Sequence, residues 1–195
     1  MSGTLTIHDE LTIEMLIKAG VLTDTDYKSL PLENGTALIA CSDGDRFYDT
    51  FLHHAHLQVN QLNRKTRSEP RVHTFAWHGG ILACVPDSPV NNHPKAAEVF
   101  LDQIRDARRI VKKDIDVFAP HSHFPCTAAA NADLDIPKIL ALHARGKEEL
   151  MNLGLSLKVP CYFHVDYQRN KKRTYQINWD RWNIWSREQM TLVAA

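Results

Sequence analysis

The chain has 195 residues, 44% of them hydrophobic and 24% charged, the balance of a globular protein able to bury a full core as one domain over 1–195. Lysine plus arginine equals aspartate plus glutamate at 23 each, which removes the general electrostatic argument for nucleic acid or an anionic membrane as a partner. No apolar run reaches the roughly 18 residues of a bilayer span. Residues 1–10 have neither the basic nor the apolar region of an export signal, so the reducing cytosol is the expected compartment for the four cysteines.

A helical segment is expected within residues 1–30. Residues 36–40 form a short unbroken apolar run after Glu33, Asn34 and Gly35, which reads as a strand buried on both faces. Phe47, Phe51, Ala55, Val59 and Leu62 then recur at helical spacing. A second strand is read over 72–77, ending at Gly79 and Gly80. Asn91 to Pro94 signal a helix start, with Ala97, Phe100, Ile104, Ala107 and Val111 on one face. A third strand is read over 115–119 and a helix over 136–153, stopped by Gly154. Strands over 159–167 and 173–179 flank the polar turn 168–172, and a C-terminal extension covers 180–195. Strands interleaved with amphipathic helices predict an α/β fold with a mainly parallel central sheet flanked by helices. In such sheets the working residues gather beyond the carboxyl ends of the strands, where strand order reverses.

Two of those ends carry unusual residues. The first strand runs into Cys41, Ser42 and Asp43, and the third into His121, His123 and Cys126. His123 and Cys126 have the H-x-x-C spacing that lets an imidazole and a thiolate converge on one ion, and Cys41 adds a second thiolate if the two strands are neighbours. Two sulfurs and one nitrogen suit zinc and leave the fourth position of a tetrahedron open. Taken singly, each cysteine reads equally as a small buried hydrophobe.

These residues resemble the β-class carbonic anhydrases, whose ligands come from a C-x-D-x-R motif after the first strand and an H-x-x-C motif about 80 residues later. The resemblance covers roughly 36–179 and rests on Cys41, Asp43 and Arg46, then His123 and Cys126, with His78, Gly79 and Gly80 at a strand end between them. It implies a four-stranded parallel core with an antiparallel edge strand and a homodimer or higher homo-oligomer. It also implies reversible hydration of carbon dioxide to bicarbonate by zinc-bound hydroxide. Cys41, His123 and Cys126 are then the metal ligands, Asp43 orients the nucleophile, and Arg46 positions Asp43. Arg46 stands five residues after Cys41 where the family has four, Thr127 replaces a common glycine, and no glutamine shortly precedes Cys41. Two thiolates cancel the charge of the ion, so water is acidified less than at a three-histidine zinc centre. The shifted arginine predicts that Asp43 is released at low pH to become a fourth ligand in a closed site.

Other residues have plainer readings. His121 is expected to be structural, and His53 and His56 to lie on the solvent side of their helix, with His53, His54 and His56 the alternative proton shuttles. Cys84 and Cys161 read as core thiols. Trp179, Trp182 and Trp185 either anchor a dimer or cap the core, and the basic run 169–173 reads as a solvated loop. Asp43 and Asp45 after a strand also resemble the D-x-D of haloacid dehalogenase-type phosphatases, but Phe47 replaces the expected small residue. A Cys41 nucleophile, a non-catalytic zinc module, and hydrolysis of carbonyl sulfide or carbon disulfide are the remaining alternatives.

Overall fold

The computed structural model describes residues 5–25, 35–62, 71–111, 115, 117–155, 158–167 and 171–193. Glu33, Asn34 and Arg169 lie outside the described residues, as do the side chains of Asp45, Leu62 and Val111.

Helix α1 (Ile7–Lys18) starts at Thr6, whose side chain accepts the Asp9 N–H while Asp9 accepts the Thr6 N–H, so two otherwise orphaned donors are satisfied. Strands β1 (Leu22–Thr23), β2 (Thr36–Cys41), β3 (Val72–Trp77), β4 (Phe118–Phe124), β5 (Tyr162–Asp166) and β6 (Lys172–Ile177) form one sheet in the order β1-β6-β5-β4-β2-β3. The four strands β5, β4, β2 and β3 are mutually parallel, and β6 runs antiparallel to β5 and β1. The α/β class with a mainly parallel sheet is therefore present, with the two-residue β1 added outside the antiparallel strand.

Between the strands lie α2 (Gly44–Leu62), α3 (Ala96–Asp106), α4 (Thr127–Asn131) and α5 (Ile136–Met151), and α6 (Trp179–Val193) closes the chain. Adjacent residues of a strand face opposite sides. His121 meets His54 of α2, while Ser122 meets His143 of α5, so α2 and α5 cover opposite faces of the sheet. β2 is buried along its whole length, as its unbroken apolar run requires.

The third strand extends farther than its sequence suggests. It starts at Phe118 rather than 115 and reaches Phe124, beyond the expected end at 119, because its ladder to β5 continues after its ladder to β2 stops at Pro120. The ladder to β2 runs from Ala37↔Phe118 to Ile39↔Pro120, and the ladder to β5 continues from His121↔Tyr162 to Phe124↔Val165. The imide nitrogen of Pro120 removes one donor without ending the strand. His121 and His123 thus sit within the sheet rather than on a loop. At the other end of the fold, the last expected strand stops at Ile177, and Trp179 opens α6.

Candidate metal centre

From β2 the chain proceeds to β3 on one side, then returns to place β4 on the other side of β2. Strand order reverses there, which opens a crevice beyond the carboxyl ends of β2 and β4. Cys41 is the last residue of β2, His123 is next to last in β4, and Cys126 immediately precedes α4. One ligand atom from each lies within 4.8 Å of the other two, and all three residues are buried. Tetrahedral zinc with bonds of ~2.0–2.3 Å separates its ligand atoms by roughly 3.5–3.8 Å, so modest side-chain adjustment suffices. Among the described residues this is the one group of His, Cys, Asp and Glu so arranged.

The loop after β3 shapes the same spot. Gly80 has φ +57°, and a Cβ there would lie 2.7 Å from the Cys41 nitrogen and 3.2 Å from the His121 oxygen. A residue without a side chain lets this loop cross directly over the ends of β2 and β4.

The donor set is prepared for a cation. The Nδ1 of His123 is 2.8 Å from the Pro125 carbonyl, which only accepts, so Nδ1 carries the proton and Nε2 keeps its lone pair. That Nε2 is buried and makes no hydrogen bond of ordinary geometry. Orienting an imidazole through its second nitrogen is what metal-ligating histidines require. The Asp43 N–H is directed at the Cys41 sulfur, and the Ala128 and Ala129 N–H groups at that of Cys126. The contact between the two thiols draws the Cys41 pKa down, against its burial, and together with burial pushes that of Cys126 up. Thiols this close would release their protons when a divalent ion takes both sulfurs as ligands.

Asp43 and Arg46 are not paired with each other. Asp43 is half-buried and its carbonyl accepts the Phe47 N–H at the start of α2. Arg46 places Nη1 2.6 Å from Oδ2 of Asp166, at the end of β5, and both side chains are nearly buried at 14% and 12% exposure. The expected Asp43–Arg46 pair is therefore replaced by Arg46–Asp166. A guanidinium so far removed from water needs a counterion that is itself fixed, and Asp166 also needs one.

Asp166 belongs to a polar face that sequence reasoning missed. Tyr162, His164 and Asp166 alternate along β5 toward α2, where they meet His53 and His54, then Asp49, then Arg46. His164 Nε2 lies 3.5 Å from Asp49, which also holds Lys172 at 2.7 Å. Burial holds the His164 pKa down to about 4, with Asp49 opposing. The signal was present in the period of two over 162–166 and in the helical spacing of Arg46, Asp49 and His53. It went unread because polar residues at those periods ordinarily mark a solvent face.

His54 is wholly buried and its Nε2 lies 2.7 Å from that of His121. His53 stacks edge-on against Tyr162 and is half-buried, contrary to its expected exposure, whereas His56 is exposed. Helix α2 buries Thr50, His54, Leu57 and Gln58 and leaves Phe47, Phe51, Ala55 and Val59 half-exposed. Cys84 and Cys161 are core thiols, their pKa values pushed up by burial. Trp182 is buried, stacks on Trp185 at 5.4 Å, and with Trp179 and Trp185 caps the core.

A cavity of about 350 Å³ adjoins the centre at Cys126, lined also by Phe124, Pro125 and Leu134, with Asp9, Asp133, Asp135 and Lys138 among its polar groups. Among the described residues no helix is long and apolar enough to cross a membrane. Compared with protein-family models, curated proteins and solved structures, the chain matches none.

Proposed function

We propose that the chain is a zinc enzyme of β-class carbonic anhydrase type, hydrating carbon dioxide reversibly to bicarbonate. The observation that carries this reading is the convergence of Cys41, His123 and Cys126 at the point where strand order reverses. The parallel run β5-β4-β2-β3 with antiparallel β6 supports it, being the arrangement that the family resemblance implies. A Cys₂His set with its imidazole pre-oriented suits zinc better than oxygen-seeking cations.

Zinc held there would supply the Lewis acidity that activates water as a nucleophile. Asp43 would orient that water by accepting its hydrogen bond. Arg46 acts less directly than the family pattern implies: clamped by Asp166, it ties the first turn of α2 to β5 and so fixes the loop carrying Asp43. With Arg46 engaged by Asp166 instead, its guanidinium does not hold Asp43 back, and the Asp43 carboxylate would be able to serve as a fourth ligand that closes the site. A homodimer belongs to this reading, and the half-exposed stripe Phe47, Phe51, Ala55 and Val59 is the surface it would cover.

Elemental analysis of the purified chain and of Cys41→Ser, together with stopped-flow hydration of carbon dioxide, tests the reading. One zinc per chain, its loss in the variant, and hydration by the zinc-loaded protein are expected. Absence of bound metal ends the proposal. Full zinc occupancy without hydration leaves the second reading, a non-catalytic zinc module, which the diversion of Arg46 to Asp166 favours. Sulfide release from carbonyl sulfide or carbon disulfide separates the remaining alternative.

A further inference from the structure

We propose that Cys126 and Cys41 are also a modification site, at which a neutral hydroperoxide joins the two sulfurs as a disulfide and so discharges the metal. The pairing rests on geometry alone; the discharge rests on the metal-binding reading above. Both sulfurs belong to the cluster whose ligand atoms lie within 4.8 Å, and all four cysteines are free thiols in the structure. Cys126 lines the cavity of about 350 Å³, whereas Cys84 and Cys161 are enclosed in the core and do not line it. Access through the cavity therefore singles out the Cys41–Cys126 pair over Cys84 and Cys161, with either sulfur able to react first and its neighbour acting as the resolving thiol.

The chemistry balances with peroxide as the oxidant. The thiolate of one cysteine of the pair attacks one peroxide oxygen, the O–O bond breaks, and the departing hydroxide takes a proton from solvent as water. The resulting sulfenic acid is then attacked at sulfur by the other cysteine's thiolate, the S–O bond breaks, and the departing hydroxide takes a second proton from solvent and leaves as water. Two sulfurs are oxidised by one electron each and the peroxide is reduced by two. A disulfide has lost both thiolate donors, so one imidazole remains of the three ligands, too few to retain zinc.

The cavity also sets which oxidant arrives. Asp9, Asp133 and Asp135 surround it, and Lys138 is drawn to Asp135 and to the Asp133 carbonyl. An excess of carboxylates repels an anionic disulfide such as oxidised glutathione and leaves uncharged hydrogen peroxide unhindered.

The test uses the full chain, reduced, once zinc-loaded and once stripped by chelator. Each sample is treated with hydrogen peroxide or oxidised glutathione, quenched by alkylation and mapped by peptide mass spectrometry, with zinc release followed by a chromophoric chelator. Peroxide is expected to give a Cys41–Cys126 disulfide in both samples, with Cys84 and Cys161 still alkylated. One zinc is then released per disulfide and rebinds after dithiothreitol. Oxidised glutathione is expected to react at least about tenfold more slowly at low salt. A disulfide involving Cys84 or Cys161, direct passage of Cys126 to sulfinic acid, or zinc retained by the disulfide form overturns the proposal. Faster reaction with oxidised glutathione overturns the role of the carboxylates. Absence of metal in the untreated chain is failure of the functional reading, and the stripped sample still decides the sulfur pairing.

Discussion

Arg46 on the first turn of α2 and Asp166 at the end of β5 form a nearly buried ion pair at 2.6 Å, although 120 positions separate them in the chain. The pair fastens the helix to the sheet beside the end of β2, where Cys41 lies, and the loop that carries Asp43. A buried pair resists the loss of one partner far more than the loss of both.

Asp166→Asn is accordingly expected to destabilise the fold by about 3 kcal/mol, since it leaves the guanidinium buried and uncompensated. Arg46→Met combined with Asp166→Leu should recover most of that loss. Urea unfolding of the parent chain and the two variants is the measurement. A loss below about 1 kcal/mol for the single variant would place the pair with ordinary surface bridges.

Acid should unfold the protein through its buried imidazoles. Burial lowers His53 from 6.5 to about 4 and His143 from 6.5 to about 3, and holds His54 well below its ordinary value. Below 6.5 the unfolded chain takes up protons that the folded chain refuses, so stability is complete above that pH and falls as pH drops toward 4. Each such group contributes a slope of up to about 1.4 kcal/mol per pH unit in that window. Urea midpoints measured in chelator at about pH 7 and about pH 5 should therefore differ, and His143→Leu should flatten the dependence. Equal midpoints for the parent chain would refute the linkage.

Gly80 and Gly154 separate two costs of a side chain. Both have positive φ, but a Cβ at Gly154 meets nothing within 4 Å, while one at Gly80 meets the backbone of Ala40 and Cys41. Gly154→Ala should cost about 1 kcal/mol, from backbone strain alone. Gly80→Ala should cost about 1–3 kcal/mol more and, unlike Gly154→Ala, weaken zinc binding by displacing Cys41. Equal zinc affinity in the two variants would show that the loop does not position the ligand.

Zinc should stabilise the folded chain by mass action. At free zinc about 100-fold above the dissociation constant, the gain is about 2.7 kcal/mol. Cys41→Ser should abolish the increment and Cys84→Ala should leave it intact, because Cys84 is walled into the core. Thermal unfolding with and without chelator reads the difference, and an increment that survives Cys41→Ser would point to another site.

The class of the fold and the three donor side chains at their strand ends were legible in the amino-acid sequence, because each depends on local order along the chain. An unbroken apolar run such as 36–40 has few places to go except between two layers, and H-x-x-C at a strand end brings its own two donors together. What the residues could not declare was which strand lies beside which. Only the folded chain decided that β4 returns next to β2 and carries His123 and Cys126 to Cys41. The same step turned Arg46 away from its neighbour Asp43 toward Asp166, and enclosed His54 against His121 in a layer that looked solvent-facing. Local sequence fixes what a side chain can offer, whereas a buried charge or imidazole takes whichever partner the packing of distant segments places within hydrogen-bond reach.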